Sequence, residues 1–349
     1  MKDVAIVSFA QWSAREEPTR NEVEMLIPVV AQAIDDSGIA RKEIGFTCSG
    51  SCDYLAGAPF AFVMGLDAVG AWPPIRESHV EMDGAWALYE AWVRLQHGDV
   101  DTALVYSFGK SSLGDLPIVL SQQMDPYYVA PLWPDSISIA ALQARAWLDA
   151  GHDEGEMAAV AARSRRFAKD NQWAQVYGDQ DPDDLLREPY VVSPLRKHDI
   201  PPISDGATAI VLAAGDRARD VTDNPVWIRG LEHRIEAHSL GVRDLAVSDS
   251  TTAAAQAAGA NDGPVDVAEL HAQFSHEELI LAEALGLGDT TPINPSGGPL
   301  QANPVMSAGL TRVGEVAKRI AAGEAGRGIA HAASGPCLQQ NMVVVLEGE

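Results

Sequence analysis

The sequence predicts two α/β units in tandem, each built on a mixed or mostly parallel sheet, and three observations carry that prediction. Short apolar runs of strand length alternate with helix-spaced segments from one end of the chain to the other. A charged stretch, Gly215 to Pro225, ends in proline, and the strand–helix alternation restarts after it. With 349 residues, 46% hydrophobic and 21% charged, the chain has enough apolar material for two packed layers of core and more than one domain.

The elements follow in order. Val4 to Ala10 reads as a buried strand, and Asn21 to Asp36 as a helix that stops at Gly38. A second helix runs from about Gly84 to His97 and stops at Gly98, with a strand from Ala103 to Ser107 at once behind it. From Gly109 to about His198 the pattern loosens into prolines, tryptophans and two helices, Ser136 to Ala150 and Glu154 to Asn171. Ala207 to Ala213 is a clean buried strand. After the boundary come a strand at Val226 to Leu231 and a helix at Ser250 to Ala258. A strand end at Val267 to His271 and a helix at Ser275 to Leu285 follow. A long helix at Met306 to Ala322 precedes two strands, Gly328 to Ala332 and Met342 to Leu346. The expected division is a first half over residues 1–220, with an insertion at about 109–198, and a second half over 221–349. Identity between the halves is too weak for the letters to prove a repeat.

Composition excludes some functions. The formal net charge of −24 repels phosphate polyanions, so no nucleic-acid partner is expected. The one basic cluster, Arg163-Ser164-Arg165-Arg166, reads as a solvated helix face or a small coenzyme A phosphate site. No run approaches eighteen apolar residues and no signal peptide is evident, so neither membrane association nor export is expected and the reading is cytoplasmic. Three cysteines, Cys48, Cys52 and Cys337, argue against a disulfide framework, and the CxxxC pair lacks companions for a zinc site.

Four segments, in chain order, carry a resemblance. They are Asn171-Gln172-Trp173-Ala174-Gln175, Ser204-Asp205-Gly206-Ala207, His271-Ala272-Gln273-Phe274 with Glu278-Leu279, and Asn294-Pro295-Ser296-Gly297-Gly298. Together they resemble the sterol-carrier-protein-type thiolases, or thiolase-like lipid-transfer proteins, of the thiolase superfamily. The resemblance runs from about Val4 to Leu346. It implies a thiolase fold, two similar βαβαβ halves in a five-layered αβαβα core. It also implies a coenzyme A thioester as substrate with no bound cofactor, and a dimer, either with itself or with a second thiolase-like subunit. A small DUF35-type OB-fold protein is a further implied partner.

Measured against that family, the catalytic positions are degenerate. Glu81 falls where the family carries its nucleophilic cysteine, with Gly84 as the trailing glycine. A carboxylate is a poor acyl acceptor from a thioester, so Glu81 reads as a general base or as a helix cap. With His79 and Asp83 a metal site can be imagined, and none is expected. Asn303 replaces the histidine of the GHP loop, where an amide can donate to an oxyanion but cannot take a proton. Cys337 matches the second cysteine, but Gln339 and Gln340 replace the glycines after it, which predicts a narrowed pocket. Cys337 is therefore either an acid–base group or a buried inert thiol.

His271 fits the family pattern directly, as a donor to the thioester oxygen or a proton shuttle. His331, Gly297 and Gly298 are expected around the same cleft. Tyr127 and Tyr128, in the insertion, read as substrate-covering phenols or as packed aromatics. Trp72, Trp86, Trp92, Trp133 and Trp147 crowd the first half and suggest a large subunit contact. Three functions compete. The first is a subunit that cleaves carbon–carbon bonds of bulky, steroid-type acyl-CoA thioesters by a retro-aldol reaction. The others are a non-catalytic thiolase-like subunit and an acetyl-CoA acyltransferase working through Cys337. The aldolase branch relies on tyrosines in its C-terminal loops, whereas the last tyrosine here is Tyr190.

Overall fold

The computed structural model describes residues 2–70 and 75–349. The first half holds strands β1 (Val4–Ala14), β2 (Phe46–Gly50), β3 (Glu77–Val80), β4 (Thr102–Lys110) and β5 (Ile203–Ala214). Its principal helices are α1 (Glu22–Asp36) and α2 (Gly84–His97), followed in the insertion by α3 (Ser136–Asp149) and α4 (Glu154–Phe167). The second half holds β6 (Val226–Ile235), α5 (Asp249–Ala257), β7 (Val267–Glu269), α6 (Ser275–Ala284), α7 (Ala308–Ala321), β8 (Arg327–Ser334) and β9 (Gln340–Glu347).

Strand pairing exposes a repeat that the letters hide. The sheet order is β3-β2-β4-β5-β1-β6-β9-β8-β7. Outward from the centre, the first strand of each half pairs antiparallel with the last, and the last pairs antiparallel with the one before it. That strand then pairs parallel with an earlier one, β4 with β2 and β8 with β7. Even β3 has a counterpart, a single parallel bridge between Ala268 and Ile293. The halves join through two residue pairs, Ala5 with Trp227 and Ile6 with Val226.

Three apolar clusters define the layers. Leu26, Val29, Val30 and Ala33 of α1 pack on one face of the first half's strands. Ala85, Leu88, Ala91 and Leu95 of α2 and Leu310, Val313, Val316 and Ile320 of α7 fill the middle, touching strands of both halves. Ala254 and Ala255 of α5 and Ile280 and Leu281 of α6 cover the outer face of the second half. The result is the five-layered αβαβα arrangement of the thiolase fold. α7 is buried nearly all round and carries Thr311, Arg312 and Glu315 inside, each with a partner: Thr208, Glu269 and Gln11.

Two strands that periodicity does not mark are β2 and β3. β2 reads Phe-Thr-Cys-Ser-Gly and is buried at all five positions, because a parallel strand between neighbours has both faces covered and small polar residues fit there. The tryptophans separate by environment. Trp86 and Trp147 are core, Trp92 packs on the core edge, Trp133 is 57% exposed, and Trp72 lies outside the described residues. Core packing thus accounts for most of the crowding that suggested a subunit contact. No helix among the described residues is long and apolar enough to cross a membrane.

Candidate active site

The first half brings a helix start to the centre of the molecule. Asp83 is the N-cap of α2, its Oδ1 accepting from the Ala85 N–H at 2.9 Å. The same carboxylate crosses to α7, accepting from the Gly309 N–H at 2.9 Å and the Leu310 N–H at 3.0 Å. A Cβ on Gly309 would stand 2.6 Å from Asp83 Oδ1, so only glycine admits the carboxylate between the two helix starts. Burial pushes the Asp83 carboxyl up to about 6, against the pull of the three backbone donors and Arg312.

The second half brings polar groups from three loops. His271 follows β7 and is buried, and the Ala333 N–H donates into its Nδ1 at 3.3 Å. The ring proton therefore sits on Nε2. Burial, then His331 and Arg312, push His271 down to about 3, against the Asn303 side chain beside it. The imidazole is a neutral donor. Asn303 is fixed by its own backbone, whose N–H donates to Ser204 Oγ at 3.0 Å, while its side-chain Oδ1 is buried with no hydrogen-bond partner among the described residues.

Cys337 lies in a turn where Gly335, Cys337 and Leu338 all have φ between 54° and 75°. Two non-glycine residues in the left-handed region are strained, and Arg243 holds them by donating to the carbonyls of Pro336 and Cys337 at 3.1 and 3.0 Å. Burial pushes the Cys337 thiol up to about 12, with Glu277 adding to the shift. This sulfur is a thiol, not a thiolate, at neutral pH.

His271, Asn303 and Cys337 line one cavity of about 220 Å³. Asp83 and Glu277 line it too, and the insertion contributes Leu120, Met124 and Ile139 as an apolar wall. Gln339 is among the lining residues, while Gln340 begins β9 and is not.

The remaining expected residues lie elsewhere. Glu81 is exposed, accepts from the Asp53 N–H, and lines a broader depression beside the cavity with Cys52, Phe62 and His79. It caps a neighbouring turn, and Asp83 caps the buried helix. Among the described residues no three His, Cys, Asp or Glu side chains gather as metal ligands, and His79 stacks on Phe62 instead. His331 is buried behind His271, bonded to Asn341 Oδ1 at 3.0 Å, and is off the cavity wall. Tyr127 and Tyr128 are 81% and 80% exposed, with their backbone N–H groups on Asp125, so neither phenol covers the cavity.

Gly297 and Gly298 also stand off the cavity, and the loop around them is a brace. Asn294 accepts from the Leu270 N–H at 2.7 Å and donates to Glu278 at 2.6 Å. Ser296 donates through both its N–H and its hydroxyl to the buried Glu269, which Arg312 neutralises. Gly298 has φ 65°, and a Cβ there would meet the Asn294 side chain at 2.8 Å. Arg163 is turned inward onto Glu278 and Ser164 is buried, which breaks up the basic cluster.

Glu277 escaped the sequence reading because its position, the third residue of a helix, announces a cap and nothing more. It does cap: Oε2 accepts from the N–H groups of Gln273 at 2.8 Å and Phe274 at 3.2 Å. Only the third dimension shows that the same carboxyl opens onto the cavity.

Fold and loop order define a thiolase-like protein, and comparison with known proteins agrees over the whole length. No family model matches the chain. An acetyl-CoA acetyltransferase of Methanothermobacter thermautotrophicus is 26% identical, covering 94% of this chain and 93% of the relative. The benzoylsuccinyl-CoA thiolase subunit BbsB of Thauera aromatica is 24% identical over 52% of this chain and 53% of its own. Among solved structures, the Ltp2-ChsH2(DUF35) aldolase superposes with a TM-score of 0.82 at 18% identity, covering 99% of this chain and 97% of that one. The chain thus has the thiolase-like fold and is similar over nearly its whole length to thiolase-like acyl-CoA proteins.

Proposed function

We propose that the chain is a thiolase-like subunit that cleaves a carbon–carbon bond of an acyl-CoA thioester by a retro-aldol reaction, without an acyl-enzyme. One observation carries the reading. The cavity presents two neutral donors, His271 Nε2–H and the Asn303 amide, while the acyl-acceptor position is an exposed glutamate outside it. A retro-aldol cleavage needs a stabilised enolate oxygen and a base for the β-hydroxyl, and needs no nucleophile. A thiol at about 12 with no base bonded to it does not support an acyltransferase working through Cys337.

The cavity has room for the reacting end of an acyl group. The adjoining depression shares Gln123, Met306 and Ser334 with it, which supports a bulky, steroid-type remainder lying there. Assembly with a second thiolase-like subunit and a DUF35-type protein belongs to the same reading. It is supported by the exposed Tyr127, Tyr128, Leu132 and Trp133 on the insertion. A β-hydroxyacyl-CoA with a bulky side chain should be split to a carbonyl product and a shorter acyl-CoA by the assembled complex. Intact-mass spectrometry should detect no acyl adduct after incubation with acetoacetyl-CoA. A stoichiometric adduct, or thiolysis without cleavage, would overturn the proposal.

A further inference from the structure

The titratable side chains of the cavity wall, and Asn303 beside them, differ in the hydrogen-bonding capacity they have left. Asp83 is spent: both oxygens are occupied by three backbone N–H groups at two helix starts. His271 accepts at Nδ1 and is a donor at Nε2. Asn303 has no titratable proton. Cys337 is a thiol held at a strained turn. Glu277 differs from all of these. Its Oε2 holds the cap of α6, and among the described residues Oε1 takes no hydrogen bond, although the residue is 5% exposed and lines the cavity.

We infer that Glu277 is the acid–base residue of this site, its Oε1 taking the β-hydroxyl proton of the substrate. The inference rests on the retro-aldol reading and supplies the base that reading lacked. The step balances within the cavity. The β-hydroxyl proton goes to Glu277 Oε1, the Cα–Cβ bond breaks, and the β-carbon becomes the carbonyl product. The bond's electron pair passes into the thioester as an enolate held by His271 Nε2–H and the Asn303 amide. The proton on Glu277 then returns to Cα, giving the shorter acyl-CoA, and no oxidant or reductant is used.

The surroundings suit a carboxyl that exchanges a proton near neutrality. Burial raises Glu277 to about 7 against its two backbone donors. No lysine or arginine lines the cavity among the described residues, and its titratable neighbours there are Asp83, His271 and Cys337. Arg243 stands behind Cys337 on backbone carbonyls. On its own helix, His276 faces Gln143 and Glu278 is paired with Arg163. Asp199, from the segment packed against that helix, is bonded to Ser275.

The test uses the assembled protein with a β-hydroxyacyl-CoA. Glu277→Gln keeps an oxygen for the cap and removes the basicity. The expected result is a fall in kcat of about a hundredfold or more with KM changed less than about threefold. The wild-type rate should rise with pH through about 7, because the base must be ionised, and the residual Gln rate should lose that limb. Glu277→Asp should keep the limb at a reduced rate. An unchanged kcat or an unchanged acid limb in Glu277→Gln overturns the assignment while leaving the retro-aldol reading intact. If the wild type cleaves nothing, the functional reading fails by itself. Infrared difference titration then still decides the carboxyl: a protonated-carboxyl band lost with a midpoint near 7, absent from Glu277→Gln, upholds a proton-holding Glu277, and its absence from the wild type overturns it.

Discussion

The two halves of this molecule reach the same place with the same parts and use them differently. In each, a buried helix starts at the centre of the five layers, α2 after Asp83 and α7 after Ser307. At the first start the polar capacity is consumed, because Asp83 satisfies backbone donors of both helices and the Gly84 N–H is taken by the Met306 carbonyl. In the second half, groups are left over among the described residues: a donor on His271, an orphaned Asn303 oxygen and a free oxygen on Glu277. Two helix starts facing each other give the strongest electrostatic site in such a fold, and here a carboxylate has closed it. At Asp83 the carboxylate is architectural, and the groups with spare hydrogen-bonding capacity lie in the second half.

That contrast can be broken most severely at Asp83. Asp83→Ala strips the cap from two buried helices at once and should cost about 2–4 kcal/mol in chemical denaturation, given roughly 0.5–2 kcal/mol per lost cap. A loss under about 0.5 kcal/mol would show that the first half's carboxylate is not the brace described here. His271→Ala tests the other half. It should lower turnover by about a hundredfold or more, the scale of a lost oxyanion donor, while the unfolding midpoint moves little beside that of Asp83→Ala. Full activity in this variant would remove the second half from the chemistry. Glu81→Ala should do least. The residue is exposed and touches one N–H of a short turn, so stability should stay within about 0.5 kcal/mol and cleavage within about twofold. A large loss of activity there would return the family's nucleophile position to function.

Not all of the sequence motifs read the same physics. The Asn294–Gly298 loop and Glu278, two of the strings that carry the resemblance, form a structural brace; they tie Leu270, Glu269 and Arg312 together in the interior. A brace has to be spelled by contiguous residues with fixed backbone angles, so it is visible as a string. That His271 and Asn303 line one cavity could be anticipated because they stand next to such strings. Glu277's place there could not, because three positions into a helix a glutamate looks the same whether its outer oxygen meets water or a cavity. Tyr127 and Tyr128 differ in the opposite direction. Their side chains suit the reaction, but an Asp125 turn aims them outward.

By itself the sequence determined the α/β class, the restart near residue 215, most of the helix ends and the absence of an acyl-accepting cysteine at the expected place. These are local properties, set by periodicity, caps and the identity of single side chains. The repeat of strand order, the shared cap at Asp83 and the spare oxygen of Glu277 were decided by tertiary structure alone. Each depends on residues far apart in the chain coming together, Asp83 on Gly309 or Glu277 and Cys337 on one cavity wall. A hydrogen bond already made removes a group from chemistry, and only the folded molecule shows which bonds are made.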